Sequence, residues 1–194
     1  MPKLGMEPIR RAALVEATIA EIGTSGTLDV TVAQIARRAG MSSALAHHYF
    51  GGKEQIFLAA MRHTLTVYAA GVRAALAKAT GPRARLEAVV GASFAGNNFR
   101  RDVVAAWLNF YVLAQVSTDA RQLLSIYQRR LRSTLTHDLR PLVGARAPVV
   151  ADRIAALIDG VYLRQSLGLG QPDATKAIGS VLDCLDLEIQ RGMA

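Results

Sequence analysis

The chain has 194 residues, room for one mid-sized domain or a small module joined to a larger one but not for two large catalytic domains, since domains cluster near about 100–150 residues. Its 23 Lys and Arg against 15 Asp and Glu give a formal charge of +8, which favours a negatively charged partner, nucleic acid first. Hydrophobic residues make up 51%, too many for a disordered polycation; they are chiefly Ala, Leu and Val, which predicts packed helices, and a single cysteine, Cys184, excludes an internal disulfide and any Cys-rich zinc site.

Met1 to Met6 hold no apolar run of signal-peptide length, and no uncharged stretch reaches the roughly 18–20 residues that span a bilayer. With nothing asking for an oxidising compartment, a cytoplasmic protein is expected. Charge is uneven: +2 over residues 1–63, +3 over 64–99, +5 over 100–146 and −2 over 147–194. Net charge alone therefore marks no DNA-binding end, and Arg129, Arg130 and Arg132 read as a solvated helix face.

Breaks fall at Gly23 to Gly26, Gly40, Gly51-Gly52, Gly81-Pro82, Gly96 to Asn98, Ser117-Thr118, Gly144 to Pro148 and Gly168 to Pro172. Between them the apolar residues keep helical rather than alternating spacing. About nine helices and no strand are predicted: near Pro8 to Ile22, 32–39, 43–50, Lys53 to about Ala79, 82–95, 100–116, 119–142, 148–167 and 173–191. The expected fold is all-α, with a three-helix head, residues 1–52, carried by the long fourth helix on a helical trunk, residues 53–194.

Thr31-Val32-Ala33-Gln34 is a capping box, in which the Thr hydroxyl accepts from the Gln34 amide and the Gln34 side chain reaches back to the Thr31 amide. Ile35 and Ala39 lie one turn apart on the buried face, Ala36 permits a close helix crossing, and Gly40 supplies the left-handed residue that ends the helix. Ser42 caps the next helix, so two short helices meet across a glycine-containing turn, the arrangement of a helix-turn-helix. The second helix presents Ser43, Ala44, His47 and His48. No acidic residue occurs from Val30 to Lys53, a window holding Arg37, Arg38 and Lys53, so nothing there opposes the counterion release that drives binding to phosphates. After Gly51-Gly52 the free amides of the fourth helix, with Lys53 beside them, suit a phosphate.

Thr31, Ile35-Ala36, Ala39-Gly40, Ser42, Tyr49-Phe50 and Lys53 stand at the spacing of the TetR-type bacterial transcriptional regulators, and residues 9–60 resemble that family. Within it the sequence is most similar to the BetI-type, choline-responsive repressors of glycine betaine synthesis. Met1 to Met6 with Ile9-Arg10-Arg11, Ala33 to Gly40, His48-Tyr49-Phe50, Met61-Arg62, Ala106-Trp107-Leu108, Arg129-Arg130-Leu131 and Ala156 to Gly160 carry that likeness. The resemblance implies a dimer of all-helical subunits, an amino-terminal DNA-binding head, a palindromic operator and a trunk cavity for a small-molecule effector, here choline. Ala44 stands where the family has Gly, His47 where it has Tyr or Ser, and Gly52 where it has a capping Asn, Asp or Ser. Residues 109–128 match the subgroup poorly.

The candidate DNA contacts are thus Thr31, Gln34, Arg37, Ser42, Ser43, Ala44, His47, His48, Tyr49 and Lys53, with Phe50 expected to be buried as an anchor and the Tyr49 hydroxyl facing either a phosphate or the core. The candidate effector residues are Trp107, Phe110 and Tyr111, which share one helix face at i, i+3 and i+4, together with Phe99 and the carboxylate of Asp102; Asp159 is a second candidate carboxylate. Core packing is the competing reading of such an aromatic stripe. His47-His48 is a poor metal pair because adjacent helical side chains diverge by about 100°. No cofactor or metal is expected, and no nucleophile elbow, phosphate loop or His-x-x-x-His pair points to an enzyme. Gly168-Leu169-Gly170 reads as a helix-ending turn. Gly160 reads as a close helix approach across a homodimer interface. Ile154, Leu157, Ile158 and Val161 with Ile178, Val181, Leu182, Leu185 and Ile189 offer that interface apolar surface on helices eight and nine.

The reading that unites these features is a repressor whose effector changes the spacing of two DNA-binding heads through the fourth helix. The alternatives are a related repressor answering another hydrophobic or cationic small molecule, an architectural DNA-binding protein, and a helical-bundle enzyme.

Overall fold

The computed structural model describes residues 5–96, 99–167 and 171–191; Met1 to Leu4, Asn97-Asn98 and the expected turn at Gly168-Leu169-Gly170 lie outside the described residues. Among those described are nine α-helices and no strand: α1 Met6–Ser25, α2 Val32–Arg38, α3 Ser43–Phe50, α4 Lys53–Leu76, α5 Pro82–Ser93, α6 Arg101–Val116, α7 Thr118–Val143, α8 Ala147–Leu167 and α9 Ala174–Gln190, with a 3₁₀ turn at Gly144–Arg146. The expected all-α class and element order hold. No helix among the described residues is long and apolar enough to cross a membrane.

Boundaries differ where tertiary contacts or caps decide them. α1 runs through Gly23, expected as a break, and stops only at Gly26, whose left-handed backbone (φ 70°) lets its N–H reach the Ile22 carbonyl at 2.8 Å. α4 ends at Leu76 rather than Ala79 because the chain tightens there into shorter-range bonds, Lys78 to Ala75 and Ala79 to Leu76.

Two compact units divide the chain: Met1–Thr64 with Asp102–Leu123, and Leu65–Arg101 with Leu124–Ala194. The expected boundary at residue 52 is not a boundary of compactness. The division instead falls inside α4, and α6 joins the first three helices. In the first unit Leu14, Ile22, Ile35, Ala46, Ile56 and Met61 are buried, as are Val104, Trp107 and Phe110 of α6. α6 approaches α1 so closely that a Cβ on Gly23 would fall 2.5 Å from the Cα of Asp102. Asn109 then donates to the Gly26 carbonyl at 3.2 Å, and the Ser117 hydroxyl donates to the Glu54 carboxylate at 2.8 Å.

In the second unit α9 packs on α8 and α5. Buried Glu188 of α9 accepts from Arg153 at 2.7 Å and Arg146 at 2.9 Å. The hydrogen bond from Arg153 outweighs desolvation and holds its carboxyl below the usual carboxylate range. Arg85 of α5 donates to buried Asp138 of α7 at 2.7 Å. Of the apolar residues expected to await a partner subunit, Ile154, Ile158, Val181 and Leu185 are buried within the chain itself. They fill the α8–α9 seam, because a two-helix contact consumes one face of each helix before any second partner arrives.

Alanine is a better helix former than glycine by about 1 kcal/mol, so at an open position Gly23→Ala would stabilise. The contact with Asp102 reverses the sign. Gly23→Ala is expected to cost about 1–3 kcal/mol, the usual range for overpacking, seen as a lower thermal midpoint. A raised midpoint would show that α6 is not seated on α1.

Candidate nucleic-acid interface and ligand cavity

The α2–α3 unit is built by local bonds. Thr31 accepts from the Gln34 amide at 3.2 Å while its own amide donates to the Gln34 side chain at 2.7 Å, which completes the capping box. At the other end Gly40 (φ 67°) allows Met41 N–H to reach the Ala36 carbonyl at 2.8 Å and Gly40 N–H the Arg37 carbonyl at 3.1 Å. These two bonds form a Schellman motif that stops α2 and turns the chain. Ser42 then accepts from the Leu45 amide at 3.2 Å and starts α3.

α3 buries only Ala46. Ala44, His47 and His48 are exposed and Ser43 is half-buried, so the face expected to meet DNA bases is open. The Gly51 carbonyl can only accept, so His47 donates to it from Nδ1–H at 3.1 Å. Tyr49 is half-buried and accepts at its hydroxyl from Arg10 at 3.4 Å, so its own proton stays available to an anion. Phe50 is half-buried rather than buried: it packs under a cation, the Arg11 guanidinium lying 5.1 Å from its ring centre, and a fully enclosed ring would exclude that charge.

Thr31, Arg37, Ser42 and Lys53 are exposed and Gln34 half-buried, so the ten candidate DNA residues all lie on α2, α3, their caps and the start of α4. Lys53 stands at the amino end of α4 over the Phe57 ring, 5.4 Å from its centre. Arg38 is not a spare cation: Glu21 of α1 accepts from it at 2.6 Å. Arg10 and Arg11, absent from the candidate contacts, stand against Tyr49 and Phe50. The basic pair beside Ile9 was their only signal in the sequence.

The effector candidates are dispersed. Trp107 and Phe110 are buried in the first unit, and Trp107 lies 6.1 Å from the half-buried Tyr111 ring. The Asp102 carboxylate accepts from the Val103 amide at 3.0 Å at the start of α6. Phe99 belongs to the second unit, in a ring cluster with Phe94 at 5.3 Å and Tyr162 at 5.4 Å. None of the five lines the half-open cavity of about 400 Å³ in the second unit between α4, α5 and α7, whose walls include Tyr68, Val72, Leu76, Val89, Tyr127 and Leu131. The Tyr68 and Tyr127 rings meet edge to face at 5.5 Å. Tyr127 donates to the Asp159 carboxylate at 3.2 Å. The Ser93 hydroxyl donates to the Val89 carbonyl at 2.9 Å, so Tyr68, 3.2 Å away, is the donor in its contact with Ser93. Burial, aided by the Asp159 charge, pushes the Tyr68 hydroxyl up to about 12. Among the described residues no group of three His, Cys, Asp or Glu gathers into a metal site.

With this geometry in view, residues 14–60 match the family described as bacterial regulatory proteins of the tetR family, and residues 82–190 match the BetI-type transcriptional repressor C-terminal family. The HTH-type transcriptional regulator BetI of Brucella melitensis is 48% identical over 97% of this chain and 96% of its own. That of Agrobacterium fabrum is 48% identical over 98% of this chain and 93% of its own. Among solved structures, a protein of Pseudomonas aeruginosa PAO1 described as a transcriptional regulator superposes with a TM-score of 0.82 at 26% identity, over 98% of this chain and 96% of that one. Another, from Saccharomonospora viridis in complex with choline, superposes with 0.80 at 23% identity, over 91% and 95%.

The raised Tyr68 value has a measurable consequence. An unfolded phenol ionises near pH 10, so Tyr68 contributes its stabilisation fully below that pH and loses it as the pH rises to about 12. Phenolate absorbance is expected to show one of the five tyrosines titrating last, and Tyr68→Phe to remove that step. The same late step in Tyr68→Phe would contradict the assignment.

Proposed function

The chain belongs to the TetR family of bacterial regulatory proteins and carries a BetI-type C-terminal domain, and from that premise we propose that it is a repressor released from a palindromic operator by choline. As a member of this family it is a DNA-binding transcriptional repressor. The observation that carries the docking is the open face of α3 beside the exposed Lys53, in a window without a carboxylate from Val30 to Lys53. α3 enters the major groove, where Ser43, Ala44, His47 and His48 meet base edges. Tyr49, Lys53, Ser42 and Arg37 meet phosphates, and Thr31 and Gln34 hold α2 against the backbone. Residues 1–52 with the first turn of α4 read DNA, α6 supports them, and the second unit binds effector and dimerises.

Choline is supported by the BetI-type match over residues 82–190 and by a choline complex within the same fold. Its site in this reading is the second-unit cavity rather than the α6 aromatics. A trimethylammonium group donates no strong hydrogen bond and is enclosed by ring faces, which Tyr68 and Tyr127 supply with Asp159 behind them. The size of the cavity, about 400 Å³, favours as a second reading a larger hydrophobic cation.

The dimer uses α8 and α9. Leu163 and Leu187 are exposed, Leu157, Val161, Leu182 and Ile189 are half-buried, and a Cβ on Gly160 would meet nothing within 4 Å in this chain, which leaves a partly apolar face, indented beside Gly160, for a symmetry mate.

Two sets of variants test the reading. Lys53→Ala is expected to weaken binding to all DNA sequences alike and to flatten the salt dependence by about one charge, whereas changes at Ser43 or His48 alter base preference by about 1–3 kcal/mol per contact. Unchanged salt dependence with altered preference in Lys53→Ala would reverse the docking. Choline is expected to lower operator affinity. Tyr127→Leu is expected to raise the choline Kd about thirtyfold, the equivalent of one desolvated cation–π contact, with apo DNA binding kept. Trp107→Ala is expected instead to cost about 3–5 kcal/mol of stability and to weaken DNA binding with it. If Trp107→Ala abolished the choline response in a fully stable protein, the effector site would lie on α6.

A further inference from the structure

The second-unit cavity carries charge that choline does not use. Its lining includes two guanidiniums, Arg73 of α4 and Arg130 of α7, and no carboxylate. Both arginines are exposed, and neither pairs with a carboxylate among the described residues; Asp138 and Asp152 of the same unit are taken by Arg85 and Arg132. Ser133 and Thr134 stand beside them in the same wall, and the Thr134 hydroxyl donates to the Arg130 carbonyl, which leaves its lone pairs unused. A simple cation in this cavity would meet two like charges at one end.

The other end has the opposite character. The phenol protons of Tyr68 and Tyr127 are both spent, on Ser93 and on Asp159, so these residues offer ring surface to a ligand and no donor. The Asp159 carboxylate behind Tyr127 adds negative potential. The cavity is therefore polarised, from rings backed by a carboxylate to a pair of guanidiniums.

Helical rise offsets the two ends along α4 and α7. Arg73 follows Tyr68 by five residues on α4, about 7.5 Å, and Arg130 follows Tyr127 by three on α7, about 4.5 Å. We propose that the cavity takes a zwitterion, with a quaternary ammonium against Tyr68 and Tyr127 and a carboxylate about 5–7 Å away held by Arg73 and Arg130. This rests on the reading of the cavity as the effector site and refines its ligand class. A planar guanidinium donates two parallel bonds to a carboxylate, so the arginine pair selects that group over a hydroxyl or an ester.

Calorimetric titration of the full-length dimer separates the possibilities, with 4-(trimethylammonio)butanoate, its methyl ester, trimethylglycine and choline as probes. The expected result is that 4-(trimethylammonio)butanoate binds about tenfold or more tightly than its ester and than trimethylglycine, whose charges are too close together. An Arg73→Gln/Arg130→Gln double variant is expected to bind the acid and the ester equally, and Tyr127→Leu to weaken every probe. Both arginines are exposed, so the double variant is expected to keep the wild-type thermal midpoint. Choline binding that depends on Tyr127, with the ester equal to or better than the acid, overturns the zwitterion and leaves the effector site standing. A preference for the acid that survives in the double variant overturns the role of the arginines. Absence of binding by all four probes overturns the effector site and the zwitterion together.

Discussion

At Gly23 and Asp102 the backbones of α1 and α6 come so close that no side chain fits between them, and the construction of the DNA-binding unit follows from that approach. A glycine in mid-helix costs about 1 kcal/mol against alanine, and here the approach it permits lets Val104, Trp107 and Phe110 of α6 bury against a common core. Asn109 then reaches the Gly26 carbonyl at the end of α1, and Ser117 reaches Glu54 in the first turn of α4. The turn that presents Lys53 is thereby tied to the α6–α7 junction by a charge-assisted bond. α6 thus belongs to one compact unit with the first three helices, and two rings of its aromatic stripe, Trp107 and Phe110, are buried in that unit.

Electrostatics in the first unit follow a division of labour. Glu21 neutralises Arg38 and Glu7 neutralises Arg11, while Arg37 and Lys53 are left to solvent. Arg38 thereby ties α2 to α1, and Arg11 stands over the Tyr49 and Phe50 rings. In the second unit the buried charges are instead closed upon themselves, Glu188 with Arg146 and Arg153, and Asp138 with Arg85. Breaking either set would strand a buried carboxylate, so the α5–α7 contact beside the cavity and the α8–α9 contact both resist distortion.

What was legible in the sequence was local. The Thr31–Gln34 box, the Gly40 turn and the Ser42 cap each close within five residues, so spacing alone identifies them, and with them the helix-turn-helix. The long-range features were not. Gly23 looks like a break because the reason for it, Asp102, lies far along the chain. The α6 aromatics stand out in the sequence because they share one helix face, whereas Tyr68 and Tyr127 lie on different helices; only tertiary packing buries Trp107 and Phe110 and brings the two tyrosines together at a cavity. For the same reason Ile154, Ile158, Val181 and Leu185 could be read as interface until α8 and α9 were seen to cover them.

The central claim, that α6 is part of the DNA-binding unit, can be measured without DNA or effector. Native-state hydrogen exchange on the full chain in a series of mild denaturant concentrations reports which segments open together. The α6 amides from Val103 to Ala114 are predicted to share the opening free energy of the α1 amides from Leu14 to Ile22 and to lose protection with them as denaturant rises. Exchange of α6 in step with α8 and α9, while α1 stays protected, would contradict the account.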